Sequence, residues 1–463
     1  MATRIAPLSG FPEWLPAQRI VEQHVQDTLR EVFELHGFAS VETRSVEPLE
    51  QMLRKGEIDK EVYVLRRLHE EPAAAGSADS AADRGKQLGL HFDLTVPLAR
   101  YVLENAGHLD FPFRRYQIQK AWRGERPQEG RYREFVQADI DVIGRDVLPF
   151  HHEVEVARVM AEALTRLPLP PVRMQVNSRK LIEGYFLGLG VTPGEQVAGV
   201  MRVVDKLDKV DRATVLTMLA DEVGLSAEQA EACVALTAIS SGHETLREAV
   251  TSLGVSHPLL EEGLDELVRV LEGTASLRSE LVEVVADLSV ARGLDYYTGT
   301  VFETRLQGFE HLGSICSGGR YDALASDGRT TYPGVGISFG VTRTIAPLIS
   351  RGLLSASRST PTCVLVALPE EDSRAAVGEV ATELRSRGVA AEVSPSAQKY
   401  GKQIRYAERR GIPYVWFPAG SDGGSHQVRD IRTGEQQDAD PAAWVPPTED
   451  LRPSVIGTVA PDS

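Results

Sequence analysis

Apolar and polar residues alternate in several separate stretches of this 463-residue chain. Successive side chains of a β-strand point to opposite faces, so a period of two predicts strands with one apolar and one polar face. The pattern occurs in residues 88–95, 115–123 and 133–144. It predicts an antiparallel sheet that buries its apolar face. The polar faces of these stretches carry His91, Asp93, Thr95, Gln117, Gln119, Arg123, Arg133, Phe135, Gln137, Asp139 and Asp141.

Two interpretations of these polar faces are open. In any one antiparallel strand the polar face is usually the face that meets water. Several strands loaded with aspartate, glutamine, threonine and arginine favour a binding platform instead. A fourth stretch, residues 334–344, alternates differently, with Gly336, Ser338 and Gly340 opposite its apolar residues. Small side chains let a flat ligand approach the backbone, although close packing of two strands explains them equally well.

Composition excludes several classes of protein. With 42% hydrophobic and 25% charged residues, the chain lies far from the composition of disordered proteins, and its length predicts two or three compact units. Three widely spaced cysteines without a CxxC pair exclude the usual zinc patterns and indicate a reducing compartment. The sequence has neither an apolar run of membrane-spanning length nor an apolar signal core at its start. We therefore expect a cytoplasmic protein that does not bind membranes.

The formal net charge of −16 argues against a nucleic-acid partner, but a polyanion responds to local charge rather than to the total. Residues 112–133 contain seven basic residues against two acidic ones. This stretch is either a basic patch for a nucleic acid or an ordinary solvated face.

Helical and mixed segments surround the alternating stretches. Residues 16–36 have the spacing of an amphipathic helix. Residues 71–87 are rich in alanine, glycine, serine and aspartate, which predicts a mobile loop between two strands. A strand after Pro168 leads into a helix that Ser178 is suited to cap, and helical sequence continues to about residue 275.

The C-terminal part has a different order of elements. A polar linker at 351–360 precedes a βαβαβ pattern, which predicts a small α/β domain with a largely parallel sheet. The last residues are expected to form a loosely ordered tail. The predicted elements are strand 362–368, helix 372–387, strand 389–393, helix 399–410 and strand 412–417.

Several motifs together resemble one enzyme family. The segment RYQIQKAWRGERPQEGRYREFVQADIDVIG resembles motif 2 of class II aminoacyl-tRNA synthetases, and RGLDYYTGTVFE and GGRYD are similar to the two histidine-specific motifs of histidyl-tRNA synthetases. The first helix with Pro48 resembles the dimer-forming motif 1, and GVGISFGVTRT resembles motif 3. VVDKLDKV is similar to the start of the helical insertion of this family, and KYGKQIRYAERRGIPYV and DIRTGEQ are similar to its anticodon-binding domain.

The resemblance implies an α+β fold with an antiparallel class II sheet core, a helical insertion and a C-terminal α/β anticodon-binding domain. The implied domains are a first catalytic part (1–190), the helical insertion (191–275), a second catalytic part (276–350), a linker (351–360), the anticodon-binding domain (361–445) and a tail (446–463).

The implied activity is a ligase reaction in two steps. Histidine and ATP give histidyl-adenylate and pyrophosphate, and the 3′ end of tRNA(His) then takes the histidyl group. Such phosphoryl chemistry depends on positioned positive charge. The resemblance assigns the α-phosphate to the catalytic residues Arg123 and Arg292 and the adenine to Phe135 and Arg343. It adds Glu125 to the ATP site and Mg²⁺ as a bridge between the phosphates, with no metal site of the protein itself.

The same resemblance implies the residues that hold histidine and tRNA. The α-amino group is assigned to Asp93, Thr95 and Gln137, and the imidazole ring to Asp141, Tyr297 and Tyr321; Arg292 also borders histidine. The tRNA contacts are assigned to Arg126 and Gln128, which recognise an extra 5′ guanosine, and to Lys402, Arg405 and Arg409 in the C-terminal domain. A homodimer is implied as the assembly.

Three positions differ from the usual pattern of the family: His91, Thr342 and Ser317. Two other interpretations remain open. One is a binding protein that resembles the regulatory subunit of ATP phosphoribosyltransferase. The presence of Arg123, Arg292 and Arg343 and of the C-terminal domain argues against it. The other is a second synthetase that charges a different acceptor.

Overall fold

The computed structural model describes residues 6–52, 61–67, 87–208, 210–290, 297–323, 325–420 and 424–457. The α-helices of these ranges are α1 (Pro16–Leu35), α2 (Leu49–Met52), α3 (Thr95–Asn105), α4 (His151–Arg166), α5 (Arg179–Gly188), α6 (Glu195–Val204), α7 (Arg212–Asp221), α8 (Ala227–Thr237), α9 (His243–Thr251), α10 (Pro258–Thr274), α11 (Val341–Ser350), α12 (Arg374–Ser386) and α13 (Tyr400–Arg410).

The β-strands are β1 (Ala39–Ser40), β2 (Val46–Pro48), β3 (Val64–Leu65), β4 (Leu88–Leu90), β5 (Phe113–Trp122), β6 (Glu134–Ile143), β7 (Val172–Ser178), β8 (Ser240–Ser241), β9 (Val282–Asp287), β10 (Thr300–Leu306), β11 (Cys316–Tyr321), β12 (Gly334–Gly340), β13 (Leu354–Ala356), β14 (Val364–Val366), β15 (Ala391–Val393), β16 (Tyr414–Phe417), β17 (Gln427–Asp430), β18 (Gln436–Asp438) and β19 (Val455–Gly457).

The chain divides into two compact units. The larger comprises residues 1–12 and 25–347, and the smaller comprises residues 13–24 and 348–463.

All three cysteines are buried free thiols, and burial raises the pKa of Cys363 to about 11. Within the described ranges, no helix has both the length and the apolar character needed to cross a bilayer.

A nine-stranded sheet forms the centre of the larger unit, with the order β1-β5-β6-β12-β11-β10-β7-β9-β8. All neighbours from β5 to β7 are antiparallel, whereas β1 pairs with β5 and β7 pairs with β9 in parallel. The predicted antiparallel core is therefore confirmed. Ser178 caps α5 by accepting a hydrogen bond from the backbone N–H of Leu181, as its position predicted.

Strands β5 and β6 form a hairpin whose register decides which side chains share a face. Arg115 lies opposite Asp141, Gln117 opposite Asp139, and Gln119 opposite Gln137. Because residues opposite each other point to the same side, these side chains form one polar patch. On the other side, Ala138, Ile140 and Val142 of β6 are fully buried, and α4 packs against β6 and β12.

Residues 88–95 do not form the predicted strand. Only β4, Leu88–Leu90, is extended, and α3 begins at Thr95. His91, Phe92, Asp93 and Leu94 are all buried, so the alternation does not separate two faces here. The physical reason is that Asp93 Oδ1 accepts a hydrogen bond from the backbone N–H of Val96 at 3.1 Å, which stabilises the start of a helix. The predicted loop at 71–87 lies outside the described residues except for Gln87.

The smaller unit contains the predicted βαβαβ pattern. Its sheet has the order β15-β14-β16-β17-β18, in which the first three strands are parallel. One side of the sheet packs with α12 residues such as Val377 and Leu384, and the other with Ala407 of α13. The hairpin of β17 and β18 adds an antiparallel edge that the pattern did not predict.

Residues 446–457, the described part of the predicted tail, are held by specific contacts. Strand β19 pairs with β13, so the linker at 351–360 and the end of the chain form a two-stranded sheet. Asp450 accepts hydrogen bonds at 2.7 Å from the Tyr414 hydroxyl and from the Arg432 guanidinium. These contacts join residues that are far apart in sequence, which is why composition alone indicated a tail.

We expect Asp450→Asn to destabilise the smaller unit by about 1–2 kcal/mol at pH 7, because a charge-assisted hydrogen bond to the half-exposed Arg432 is lost. Hydrogen bonding to Arg432 lowers the pKa of Asp450 below the ordinary pKa of a carboxyl group. The stabilisation by this hydrogen bond is therefore complete at a pH above the ordinary pKa and is lost as the pH falls through the lowered one. Urea unfolding of wild type and variant at pH 7.0 and 3.5 measures both effects. The exposed Asp372→Asn is the matched control, and an unchanged midpoint at pH 7.0 in Asp450→Asn would contradict this role.

Candidate active site

The hairpin of β5 and β6 positions Arg123 and Phe135. The backbone N–H of Arg123 donates to the carbonyl of Arg133 at 2.9 Å, which continues the pairing beyond the end of β5. The Arg123 Nε donates to the carbonyl of Phe92 at 3.1 Å, and its guanidinium lies 5.1 Å from the centre of the Phe135 ring. The side chain stays one-third exposed, and one of its terminal nitrogens lies 3.9 Å from Glu125 Oε1.

We call the cavity around this guanidinium the arginine pocket. It has a volume of about 580 Å³ and is lined by Arg123, Glu125, Arg131, Phe135 and Arg343 among others. Arg343 lies in the first turn of α11 and donates to two carbonyl oxygens, those of Gly130 at 2.9 Å and Ser314 at 2.7 Å. Three guanidinium groups face one carboxylate here. The pocket is therefore suited to a polyanion.

We call the adjoining cavity the carboxylate pocket. It has a volume of about 500 Å³ and shares Arg123, Gln137, Ser317 and Ser338 with the arginine pocket. Its polar lining is dominated by acids, amides, hydroxyls and phenols. The residues that bear these groups are Asp93, Thr95, Gln137, Asp139, Asp141, Tyr297, Ser317, Tyr321 and Ser338.

Asp141 is held by two partners from other strands of the sheet. The Tyr321 hydroxyl donates to Oδ1 at 2.7 Å, and a guanidinium nitrogen of Arg115 lies 2.6 Å from Oδ2. Arg115 is completely buried, and Gln117 accepts a hydrogen bond from it at 3.3 Å. Gln117 in turn donates to Thr43 Oγ1 at 2.9 Å. This chain of contacts fixes the orientation of the Asp141 carboxylate.

The glycines of β11 and β12 make room for the site's own side chains. A Cβ atom at Gly336 would lie 2.0 Å from Asp141, one at Gly319 2.7 Å from the Tyr297 ring, and one at Gly334 2.4 Å from the Tyr321 ring. Of the two explanations for the small residues of β12, close packing therefore holds at Gly336, because Asp141 occupies the space beside it.

The carboxylate pocket holds a group with an unusual pKa. Burial raises the pKa of Asp139 to about 7; Arg115 opposes this shift, and Asp141 adds to it. Burial and the charges of Asp141, Asp93 and Asp139 also raise the pKa of Tyr297, so the phenol stays protonated as a donor.

The sequence-predicted residues fall into four places. The arginine pocket contains Arg123, Glu125, Phe135 and Arg343, and the carboxylate pocket contains Asp93, Thr95, Gln137, Asp141, Tyr297 and Tyr321. Arg126 and Gln128 are exposed in the loop between β5 and β6, whereas Lys402, Arg405 and Arg409 are exposed on α13 of the smaller unit. Arg292 lies outside the described residues.

The basic stretch at 112–133 does not form one surface. Arg115 is buried, Arg114 pairs with Glu155, and Lys120 pairs with Glu134. Strand alternation sends these side chains to different sides, and acidic neighbours distant in sequence neutralise two of them. The predicted patch is therefore reduced to the hairpin loop and the arginine pocket.

The three departures from the family pattern have structural partners. His91 is buried, with Nε2 2.6 Å from the carbonyl oxygen of Lys120. Thr342 Oγ1 accepts a hydrogen bond from the backbone N–H of Val136 at 2.8 Å, which ties α11 to β6. Ser317 lines both pockets. Sequence reasoning did not assign Arg115, Asp139 and Ser338 to the site, although all three follow the same period of two as their neighbours on the polar face.

Comparison with known proteins identifies the relatives of the chain. A family model described as histidyl-tRNA synthetase matches residues 10–344, and one described as an anticodon binding domain matches residues 362–445. A curated histidine–tRNA ligase from Cutibacterium acnes is 57% identical over 462 residues, covering 98% of this chain and 99% of that protein.

Two solved structures are also similar to this chain. A histidyl-tRNA synthetase from a Nostoc species is 31% identical with a TM-score of 0.81, covering 94% of this chain and 97% of that chain. A Bacillus halodurans chain described as an ATP phosphoribosyltransferase regulatory subunit/histidyl-tRNA synthetase has a TM-score of 0.71 at 20% identity, covering 91% of this chain and 100% of that one. The latter likeness shows a shared fold only.

We expect Arg115→Met to destabilise the larger unit by about 3–5 kcal/mol at pH 8, because Asp141 keeps a buried charge without its guanidinium. Protonation of the buried carboxylates relieves this cost, so the loss is smaller at pH 6 than at pH 8. Urea unfolding at both pH values measures the difference. Arg114→Met, which breaks a partly exposed pair, is the control and is expected to cost at most about 1 kcal/mol. Equal effects of the two variants would refute the assigned role of Arg115.

Proposed function

We propose that the two adjoining pockets hold the substrates of histidine activation, because the chain belongs to the histidyl-tRNA synthetase family of class II aminoacyl-tRNA synthetases. The reaction of this family is the ATP-dependent activation of histidine and the transfer of the histidyl group to tRNA(His). The arginine pocket takes ATP, and the carboxylate pocket takes histidine. One observation carries this assignment: the pockets are oppositely charged, and they meet at Arg123 and Gln137. A carboxylate and an α-phosphate have to meet at such a junction for an adenylate to form.

Arg123 is assigned to the α-phosphate. Its fork is held from one side by the Phe92 carbonyl and the Phe135 ring, which leaves N–H groups for a phosphate. Positive charge held in place before the reaction stabilises the negative charge that develops in the transition state. We assign the same task to Arg292 on the resemblance alone.

Adenine and the outer phosphates are assigned to the arginine pocket. Phe135 offers a ring face there, and Arg343 is fixed by two carbonyls at the start of a helix, where an anion is favoured. Mg²⁺ enters as part of the substrate, bound to the phosphates.

Histidine is held by both of its ends. Asp93, Thr95 and Gln137 lie where β6 meets the start of α3 and are assigned to the ammonium group. Asp141, Tyr297 and Tyr321 offer a carboxylate and two phenols to the ring nitrogens of the imidazole. An amino acid without these nitrogens leaves buried polar groups unpaired, which gives strong discrimination without an editing step.

The exposed hairpin loop and α13 are assigned to tRNA. Gln128 and Arg131 pair through their backbones at 2.9 and 3.1 Å, which shapes the loop while the Arg126 and Gln128 side chains stay in solvent. Lys402, Arg405 and Arg409 follow one another at helical spacing on the exposed side of α13. Both surfaces offer cationic or amide donors to a polyanion.

We place the protein in the cytoplasm as a homodimer. Three buried, unpaired thiols fit a reducing compartment. The resemblance of α1 and the segment around Pro48 to motif 1 supports the dimer, because that motif forms the subunit interface in class II synthetases. Sedimentation analysis of the purified chain tests the assembly.

We expect Arg123→Ala to reduce histidine-dependent ATP–pyrophosphate exchange by roughly 10²–10³-fold with little loss of stability, since the side chain faces the pocket. Arg123→Lys is expected to recover only part of the rate, because an ammonium group lacks the planar fork. The exposed Arg145→Ala is the control. An Arg123→Ala protein that is unfolded, or that exchanges at the wild-type rate, contradicts the assignment.

We expect Gln128→Ala to leave ATP–pyrophosphate exchange unchanged while it lowers the rate of charging of tRNA that carries the extra 5′ guanosine by roughly tenfold, the cost of one or two lost hydrogen bonds. Aminoacylation of tRNA transcripts with and without that guanosine separates the two effects. An equal loss in both assays, or the same loss with both transcripts, argues against recognition of the guanosine by Gln128.

A further inference from the structure

The carboxylate pocket contains more acidic groups than its described cations compensate. Asp93, Asp139 and Asp141 all line it, and each is at least nine-tenths buried. Arg115 is the fully buried guanidinium beside them and lies 2.6 Å from Asp141. Three carboxylates that share one cavity repel one another, so full ionisation of all three is costly without a further positive charge.

The three carboxylates are not equally supported. Asp141 has the Arg115 guanidinium and the Tyr321 hydroxyl. Asp93 accepts a hydrogen bond from the N–H of Val96 at the start of α3, where the helix carries partial positive charge. Asp139 has the Ser338 hydroxyl as its hydrogen-bond partner, and Arg115 acts on it through its charge. The Ser338 hydroxyl also accepts a hydrogen bond from the Gln137 amide at 2.6 Å.

Asp139 also carries an acceptor without a partner. Its Oδ1 is buried without a hydrogen-bond partner, although the residue lines the pocket and is only 3% exposed. In the strand, Asp139 lies midway between Gln137 and Asp141, about 7 Å from each along the backbone. A ligand that spans those two residues therefore passes directly over Asp139.

We propose that Asp139 is a substrate-binding residue that loses its proton to solvent when the ammonium group of the amino acid enters the carboxylate pocket, so that the resulting carboxylate balances the new positive charge. The inference rests on the proposed function, since it takes histidine as the occupant. The O–H bond of the Asp139 carboxyl group breaks, the proton leaves to the buffer, and the ammonium group keeps its own protons.

The groups around Asp139 determine the pH range in which its carboxyl group is protonated in the empty pocket. Burial raises the pKa of Asp139 to about 7, so the carboxyl group is about half protonated in the empty pocket at pH 7. Arg115 favours the ionised form, whereas Asp93 and Asp141 favour the protonated one. Among the described residues, the other ionisable groups that line the pocket are Tyr297 next to β10, Tyr321 of β11 and Arg123 after β5, and the buried Cys316 of β11 is close enough to interact with Asp139.

Proton release on histidine binding tests the proposal. Calorimetric titrations of the full chain with L-histidine at pH 7.0, in buffers of different ionisation enthalpy, give the number of protons released. We expect Asp139→Asn to release about 0.5 proton fewer than wild type and to bind histidine roughly tenfold more weakly. The contribution of the histidine imidazole cancels in this difference. Asp146→Asn, an exposed change at a left-handed position that asparagine accepts, is the control and is expected to match wild type.

Each outcome is informative. Equal proton release by wild type and a folded Asp139→Asn overturns the proposal. If Asp139→Asn does not fold, Asp139→Ser takes its place in the same comparison with wild type: a release about 0.5 proton smaller supports the proposal, and an equal release overturns it. If wild type binds no histidine at all, the proposed function fails rather than the role of Asp139.

Discussion

The buried ion pair between Arg115 and Asp141 makes the rest of the site possible. It places a guanidinium beside the carboxylates of Asp139 and Asp141, on one face of a sheet whose other face is apolar and packed against helices. A single strand cannot provide this, because Arg115 comes from β5, Asp141 from β6 and the Tyr321 hydroxyl from β11. The antiparallel register brings them together, and glycine at 336 leaves space for the Asp141 carboxylate.

Charge separation along the same face then distinguishes two binding regions. Guanidinium groups gather where the hairpin loop meets the start of α11, and carboxylates gather deeper in the sheet. Arg123 and Gln137 border both regions. The triphosphate of ATP and the ammonium group of histidine are therefore attracted to different regions before any specific contact is made.

Much of this arrangement could be predicted from the sequence, because its physical signals are local. The period of two in residues 134–143 gave the face of Gln137 and Asp141, and Ser178 marked the start of α5. The same period placed Asp139 on the polar face, but no local signal distinguishes a carboxylate that lines a pocket from one that meets water. Arg115 was counted as surface charge, because only the register with β6 shows that it is buried.

One error came from competing local signals: the Asp93 carboxylate accepts a hydrogen bond from the backbone N–H of Val96 in the first turn of α3, so residues 91–95 leave the strand that their alternation predicted. The error about the tail came from distant contacts. Asp450 and β19 are ordered by Tyr414, Arg432 and β13, which lie 18 to 103 residues earlier in the chain. The most direct test of the account is a crystal structure of this chain with L-histidine and a non-hydrolysable ATP analogue. The account predicts the imidazole ring at Asp141 and the α-phosphate at Arg123. Histidine bound away from the carboxylate pocket, or a triphosphate bound outside the arginine pocket, would contradict it.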